Sequence, residues 1–237
     1  EASYMAPYKE VVPDGVYNPF DGEHPVLDER RPISENGVDR QPDMFIWWVY
    51  NDRGNIHSES SGQPIGIECQ TTAFAFSTND EVNNMTFYTT KIINRGFTTV
   101  NDCYMGQWVD ADLGNYADDY VGCDVSRGLG YTFNGDNNDQ SDGGKLGYGE
   151  NPPAIGCDFF EGPYQDADGI DNPGPYFDEA TQTEVVPTVI DALANKGIVY
   201  KGIGIGYSDG IIDNERFGMR RFTYYTSTSA YPYNDPG

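Results

Sequence analysis

The chain has 237 residues, and its 38 Asp and Glu against 14 Lys and Arg give a formal net charge of −24 at pH 7. Nucleic acid is a poor partner for such a surface, because it would be repelled rather than release counterions, whereas divalent cations are natural partners. No apolar run approaches the roughly 18 residues of a membrane span. Aromatic residues make up 14 % of the chain, beside 28 glycines and 15 prolines, which predicts a folded, loop-rich all-β protein.

Residues 1–43 are rich in proline, which fixes φ and lacks an amide hydrogen. They are therefore predicted to form an extended arm packed on a single domain, residues 44–237. Three strand-like runs open that domain: Phe45–Tyr50, Ile65–Ser77 and Thr86–Asn94. Thr98–Val109 is predicted as a fourth strand, forming an antiparallel hairpin with the third.

Residues 110–178 then become rich in Gly, Asp and Asn, which predicts long loops. Later strands are predicted at Ile198–Tyr207 and Arg220–Thr226. The one helix candidate, Thr181–Ala194, is interrupted by Pro187, so at best a short helix follows that proline. Together these patterns predict an antiparallel β-sandwich with long Asp/Gly-rich loops.

Residues 110–171 concentrate the negative charge, with 14 acidic residues against Arg127 and Lys145. Carboxylates at this density repel one another unless a cation lies among them. Short Asp side chains interleaved with Asn and Gly suit Ca²⁺, which takes oxygen ligands at about 2.3–2.6 Å. The sequence therefore predicts one or more bound Ca²⁺ ions. The alternative is a set of acidic loops that only face solvent.

The candidate Ca²⁺ ligands form three clusters, none of which has EF-hand spacing. The first contains Asp110, Asp112, Asn115, Asp118, Asp119 and Asp124. The second contains Asp136, Asn138, Asp139 and Asp142, within a stretch that opens at Asn134. The third contains Asp166, Asp168 and Asp171. The motif Asp168-Gly-Ile-Asp171-Asn172 is echoed by Asp209-Gly-Ile-Ile-Asp213-Asn214.

Evidence for an enzyme is weaker. Gly206-Tyr207-Ser208-Asp209-Gly210 matches G-x-S-x-G, but both histidines, His24 and His57, precede it, whereas an α/β-hydrolase places its catalytic histidine after the serine. A glycosidase needs only two suitably spaced carboxylates. A polysaccharide-binding or glycoside-cleaving protein is therefore the alternative function, with Trp47, Trp48 or Trp108 stacking on sugar rings.

Several stretches together resemble a family of large, mostly uncharacterised proteins secreted by the type IX system of Gram-negative bacteria. They are MFIWWVYNDRGNIHSESSGQPIGIE, AFAFSTNDEVNNMTFYTTKIINRG, GQWVDADLGNYADDYVGCDVSRGLGYTFNGD, PPAIGCDFFEGP and SDGIIDNERFGMRRFTYY, within residues 44–225. The resemblance implies an extracellular or cell-surface location and no particular reaction. Members usually carry a C-terminal sorting domain, so the chain is predicted to be part of a longer protein.

The four cysteines, an even number, fit disulfides formed outside the cell. Family members often carry a second cysteine where this chain has Thr132, so the resemblance makes Cys157 a candidate partner for Cys123. Cys69 and Cys103 lie in strand-like runs, Ile65–Ser77 and Thr98–Val109, and are predicted to pair as a bridge between neighbouring strands. The expected function is that of a non-enzymatic, calcium-stabilised surface module with structural, adhesive or assembly roles, whose partners are divalent cations, glycans or other surface proteins.

Overall fold

The computed structural model describes residues 6–26, 34–35, 38–39, 41–58, 60–124, 127–164, 167, 169–171, 176–178, 180–185, 206, 210–219 and 221–224. The chain divides into two compact units, Glu1–Met105 and Gly106–Gly237. This division differs from the predicted one, which separates an arm of 43 residues from a single domain.

The described residues form β-strands and short 3₁₀ helices without an α-helix, which confirms the all-β class. The first unit contains β1 (Tyr8–Lys9), β2 (His24–Pro25), β3 (Ser34–Glu35), β4 (Val38–Asp39), β5 (Met44–Asn51), β6 (Ile67–Ala75) and β7 (Phe87–Asn94). The second contains β8 (Asp119–Asp124), β9 (Leu129–Asn134), β10 (Asn138–Asp139), β11 (Gly149–Glu150), β12 (Ala154–Asp158), β13 (Tyr176–Asp178) and β14 (Thr183–Val185). The 3₁₀ helices are Pro19–Asp21, Glu81–Asn84 and Tyr116–Asp118. Among the residues that the structure describes, no helix has the length and apolar character needed to cross a membrane.

The proline-rich segment is more folded than an extended arm over residues 6–26. Strands β1 and β2 pair antiparallel and close a loop around the buried side chain of Glu23. The Glu23 carboxylate accepts hydrogen bonds from the backbone N–H groups of Val11, Val12 and Asn18. These bonds, with the Asn18 bond the strongest, lower the pKa of Glu23.

Strands β5, β6 and β7 form an antiparallel sheet in that order, at the positions of the first three predicted strands. On one face, the Phe74 and Phe87 rings stack with centroids 5.3 Å apart, and the buried Phe76 packs edge-on against Phe74. The register explains this cluster, because Phe74 and Phe87 lie directly opposite each other. The packing of sheets into a sandwich stays a prediction.

The predicted strand Thr98–Val109 does not form, so the predicted hairpin with Thr86–Asn94 is wrong. Strand β7 pairs with β6 instead. Residues 101–110 are all exposed, including Tyr104 and Trp108. Burial of their apolar side chains therefore does not offset the entropy cost of ordering the backbone.

The carboxylate of Asp52 closes the β5–β6 hairpin. It accepts hydrogen bonds from the consecutive N–H groups of Ile65 (2.6 Å), Gly66 and Ile67 (3.0 Å). Gly66 has a φ of 85°, which a residue with a Cβ rarely adopts. Burial alone raises the pKa of Asp52, but the backbone hydrogen bonds, from Ile65, Gly66, Ile67 and its own N–H, together outweigh burial and hold the pKa below its usual 3.8.

We therefore expect Asp52→Asn to lower the free energy of unfolding by about 1–2 kcal/mol at pH 7, because charge-assisted hydrogen bonds are weakened. The lowered pKa means that the Asp52 contribution is present well above pH 3.8 and is lost as the pH falls through the folded-state value. Urea unfolding from pH 7 to pH 2 measures both effects. The control is Asp102→Asn, which removes an exposed carboxylate. Residue 102 has a positive φ, which asparagine adopts readily. Equal effects from both substitutions would contradict a stabilising role for the hydrogen bonds of Asp52.

The second unit has a three-stranded antiparallel sheet in the order β12-β9-β8, within the region predicted to be loops. Its register places Cys123 and Cys157 on either side of Gly130. A Cβ at Gly130 would clash with the ring of Phe222, so this ring lies over the glycine. The helix predicted after Pro187 and most of Ile198–Tyr207 lie outside the described residues. Thr183–Val185, inside the helix candidate, form β14, and residues 221–224 are irregular.

The predicted disulfides are not present. All four cysteines lie in the described part of the chain and are free thiols. Cys123 and Cys157 are two strand spacings apart, roughly 9–10 Å between Cα atoms, beyond the about 4.4–6.8 Å that a disulfide spans. The Cys69–Cys103 pairing depended on a strand at residues 98–109, and that strand is absent.

We expect four thiols to react with Ellman's reagent in unfolded, unreduced protein. In the native protein the exposed Cys103 should react fast. Cys157 should react slowly, because burial and then the neighbouring Asp158 raise its pKa. The control Cys103→Ser should remove the fast phase alone. Fewer than four thiols in the unfolded protein would contradict the free-thiol assignment.

Candidate metal centre

The β8–β9 hairpin positions the central pair of the candidate site. Asp119 begins β8 and lies directly opposite Asn134, which ends β9. Asp118 is the last residue of the preceding 3₁₀ helix, and its carbonyl accepts a hydrogen bond from Gly135. Asn115 caps that helix by accepting from the Ala117 N–H. The turn and the hairpin end thus bring two carboxylates and one amide together.

Three side-chain oxygens in this group are buried without a hydrogen-bond donor among the described residues: Asp118 Oδ1, Asp119 Oδ1 and Asn134 Oδ1. We call these three the oxygen cluster. Asn134 is only 8 % exposed, and its Nδ2 donates to the carbonyl of Asp136. A buried polar atom left without a partner costs about 1–3 kcal/mol. The oxygen cluster therefore needs a donor or a cation.

Negative charge around Asp119 adds to this need. Burial raises the pKa of the Asp119 carboxyl most, and the carboxylates of Asp118, Asp139 and Asp112 raise it further. The N–H of Leu113, 3.0 Å from Asp119 Oδ2, opposes them without outweighing them. The ionised form of Asp119 is thus disfavoured in the absence of a positive charge.

Asp139 is the most deeply buried of these acids, at 1 % exposure. Its carboxylate accepts from the N–H groups of Asn115 (3.2 Å) and Tyr148 (2.7 Å). A Cβ at Gly114 would clash with Asp139 Oδ2, so the glycine allows the loop to approach. Asp139 already has two main-chain donors, and it contributes negative charge to its neighbours.

In the ranges that the structure describes, no three His, Cys, Asp or Glu side chains converge as a ready-made metal centre. The oxygen cluster instead combines two carboxylates with one amide. Asn134 opens the second predicted cluster but is absent from the predicted ligands. Sequence cannot identify it, because its place beside Asp119 depends on the β8–β9 register.

The structure divides the first predicted cluster. Asp112, Asn115, Asp118 and Asp119 lie near one another: the Asp118 N–H donates to the Asn115 carbonyl, and the charges of Asp118 and Asp112 raise the pKa of Asp119. Asp124 ends β8, about 16 Å along the strand from Asp119, where it pairs with Arg127. Asp110 is exposed in an irregular segment.

The second cluster is also divided, because only Asp139 joins the first. Asp136 is exposed and accepts from the N–H of Asn138, which begins β10. Asp142 is exposed and forms an isolated bridge with Lys145. These three residues stabilise turns.

Of the third cluster, Asp166 and Asp168 lie outside the described residues. Asp171 accepts from the N–H of Gly210 (2.7 Å), and Asp213 accepts from the N–H of Gly169 (2.8 Å). The two echoed Asp-Gly-Ile motifs therefore bind each other reciprocally, the glycine of each donating to the last aspartate of the other. This contact gives both motifs a structural role.

Of the residues proposed for sugar binding, Trp47 and Trp48 lie in the first unit and Trp108 lies in the second. Trp47 is half-buried on β5, its neighbour Trp48 is exposed, and Trp108 is exposed in an irregular segment. Ser208 lies outside the described residues.

Comparisons with protein-family models, with curated proteins and with solved structures found no match.

Proposed function

We propose that this protein is a non-enzymatic, calcium-stabilised extracellular or cell-surface module with a structural, adhesive or assembly role. The observation that carries the proposal is the oxygen cluster, in which three buried oxygens lack a hydrogen-bond donor among the described residues. A bound cation would satisfy all three oxygens and neutralise the surrounding carboxylates.

Calcium suits this cluster better than zinc does. All the available donors are oxygens, and Ca²⁺ accepts about six to eight of them in irregular geometry. Zinc prefers nitrogen and sulfur donors. We propose Asp118, Asp119 and Asn134 as ligands, with Asp112 and water completing the shell. Asp139 would stabilise the ion through its charge.

An extracellular setting agrees with this chemistry. Calcium sites of extracellular modules bind weakly, with Kd of about 10⁻⁴–10⁻³ M, so they are about half to nine-tenths occupied at about 1 mM calcium. The resemblance to type IX secreted proteins supports the same location. In such a setting, calcium would hold the turn before β8 against the end of β9.

The test compares thermal unfolding in EDTA and in excess Ca²⁺. At a hundredfold excess over Kd, one site should stabilise the protein by about 2.7 kcal/mol. Asp119→Asn should lose most of this response. In EDTA the same substitution should be neutral or stabilising, because it removes a carboxylate whose charge is disfavoured.

The matched control is Asp110→Asn, which removes an exposed carboxylate from the same acidic segment. It should keep the full calcium response. An identical unfolding midpoint of the unsubstituted protein in EDTA and in Ca²⁺ would overturn the proposal. Equal calcium responses of the two variants would overturn the site.

A further inference from the structure

One face of the β12-β9-β8 sheet carries three neighbouring aromatic rings. Tyr120 lies opposite Phe133, with centroids 6.0 Å apart, and Tyr131 follows Phe133 on the same face at 5.8 Å. Tyr120 is 60 % exposed, Phe133 is 38 % exposed and Tyr131 is 37 % exposed. We call these three residues the aromatic face.

Glycines let two of these rings lie across the sheet. A Cβ at Gly122 would clash with the Tyr131 ring, and a Cβ at Gly135 would clash with the Tyr120 ring. The interplanar angles are 32° and 39°, so neighbouring rings are tilted only moderately against each other. The aromatic face therefore presents a broad π surface to solvent.

Carboxylates border the same face of the sheet. Asp124 and Asp158 lie opposite Leu129 on the two strands that flank β9. Leu129 is two residues before Tyr131 on β9, so it lies on the same face of the sheet. Arg127 Nε lies 3.7 Å from Asp124, so a guanidinium reaches this end of the face. Exposed π surface beside carboxylates attracts cationic side chains.

The same unit already shows this mode of contact twice. Arg216 lies over the Tyr164 ring at 3.8 Å and pairs with Glu161 at 3.5 Å. Lys145 Nζ lies 4.2 Å from the centre of the Tyr116 ring. Two tyrosine rings in the described part of this acidic unit thus receive cationic groups.

We propose that the aromatic face binds a basic, arginine- or lysine-bearing segment of a partner protein. The inference names a partner for the proposed assembly role and rests on it. Charge complementarity favours this occupant, because residues 110–171 hold 14 acidic residues and two basic ones. A neutral glycan would stack on the rings but would gain nothing from this charge.

The experiment measures binding of two labelled peptides by fluorescence anisotropy, in Ca²⁺ and 0.15 M salt. One peptide alternates arginine with glycine, and the other replaces each arginine by neutral citrulline. The arginine peptide should bind and the citrulline peptide should not. The double variant Tyr120→Leu/Tyr131→Leu should weaken binding about 5- to 30-fold, because two cation–π contacts are lost.

The matched control is Tyr88→Leu, which removes a tyrosine that is 64 % exposed on β7, in the other unit. It should leave arginine-peptide binding unchanged. The calcium response of the unfolding midpoint is measured on every variant, so loss of peptide binding with an intact calcium response separates this inference from the calcium site. If the double variant does not fold, Asp158→Asn supplies the test. It changes an exposed side chain at the border of the aromatic face and should weaken binding severalfold.

Three results would overturn the inference. Equal binding of the arginine peptide by the double variant would mean that net charge alone attracts it. Equal binding of the citrulline peptide would exclude a cationic requirement. Binding of a neutral β-glucan without binding of the arginine peptide would assign the face to polysaccharide.

Discussion

Three acidic side chains in the described part of the chain are held by main-chain N–H groups, in a protein that has only 14 Lys and Arg for 38 Asp and Glu. Glu23 and Asp52 each collect three backbone donors, and Asp139 collects two. Loops and turns supply such donors, since their N–H groups are not used in a sheet ladder. Each of these carboxylates in turn fixes the loop that surrounds it.

The oxygen cluster, by contrast, lacks hydrogen-bond donors among the described residues. Asp119 receives one N–H, from Leu113, and its other oxygen is buried without a donor among the described residues, as are Asp118 Oδ1 and Asn134 Oδ1. The cluster lies where the 3₁₀ turn meets the β8–β9 hairpin, one residue from the paired rings of Tyr120 and Phe133. A cation there would connect the order of the acidic loops with the position of the aromatic face.

The sequence predicts the strands with strong apolar character and misses those with glycine. Residues 44–51 and 87–94 are identified because β-branched and aromatic side chains dominate them. Strands β8, β9 and β12 contain glycine and lie among acidic residues, so composition suggests loops, yet the Tyr131 ring fills the space above Gly122. The density of aspartate predicts the region of the oxygen cluster. It does not predict Asn134, because partners across a hairpin depend on register.

Calcium binding at the oxygen cluster is tested by a crystal structure of the protein grown in millimolar Ca²⁺. We expect one ion bonded to Asp118 Oδ1, Asp119 Oδ1 and Asn134 Oδ1 at about 2.3–2.6 Å, with an anomalous signal for calcium. Water at hydrogen-bonding distance from these three oxygens, with no anomalous signal, would contradict it.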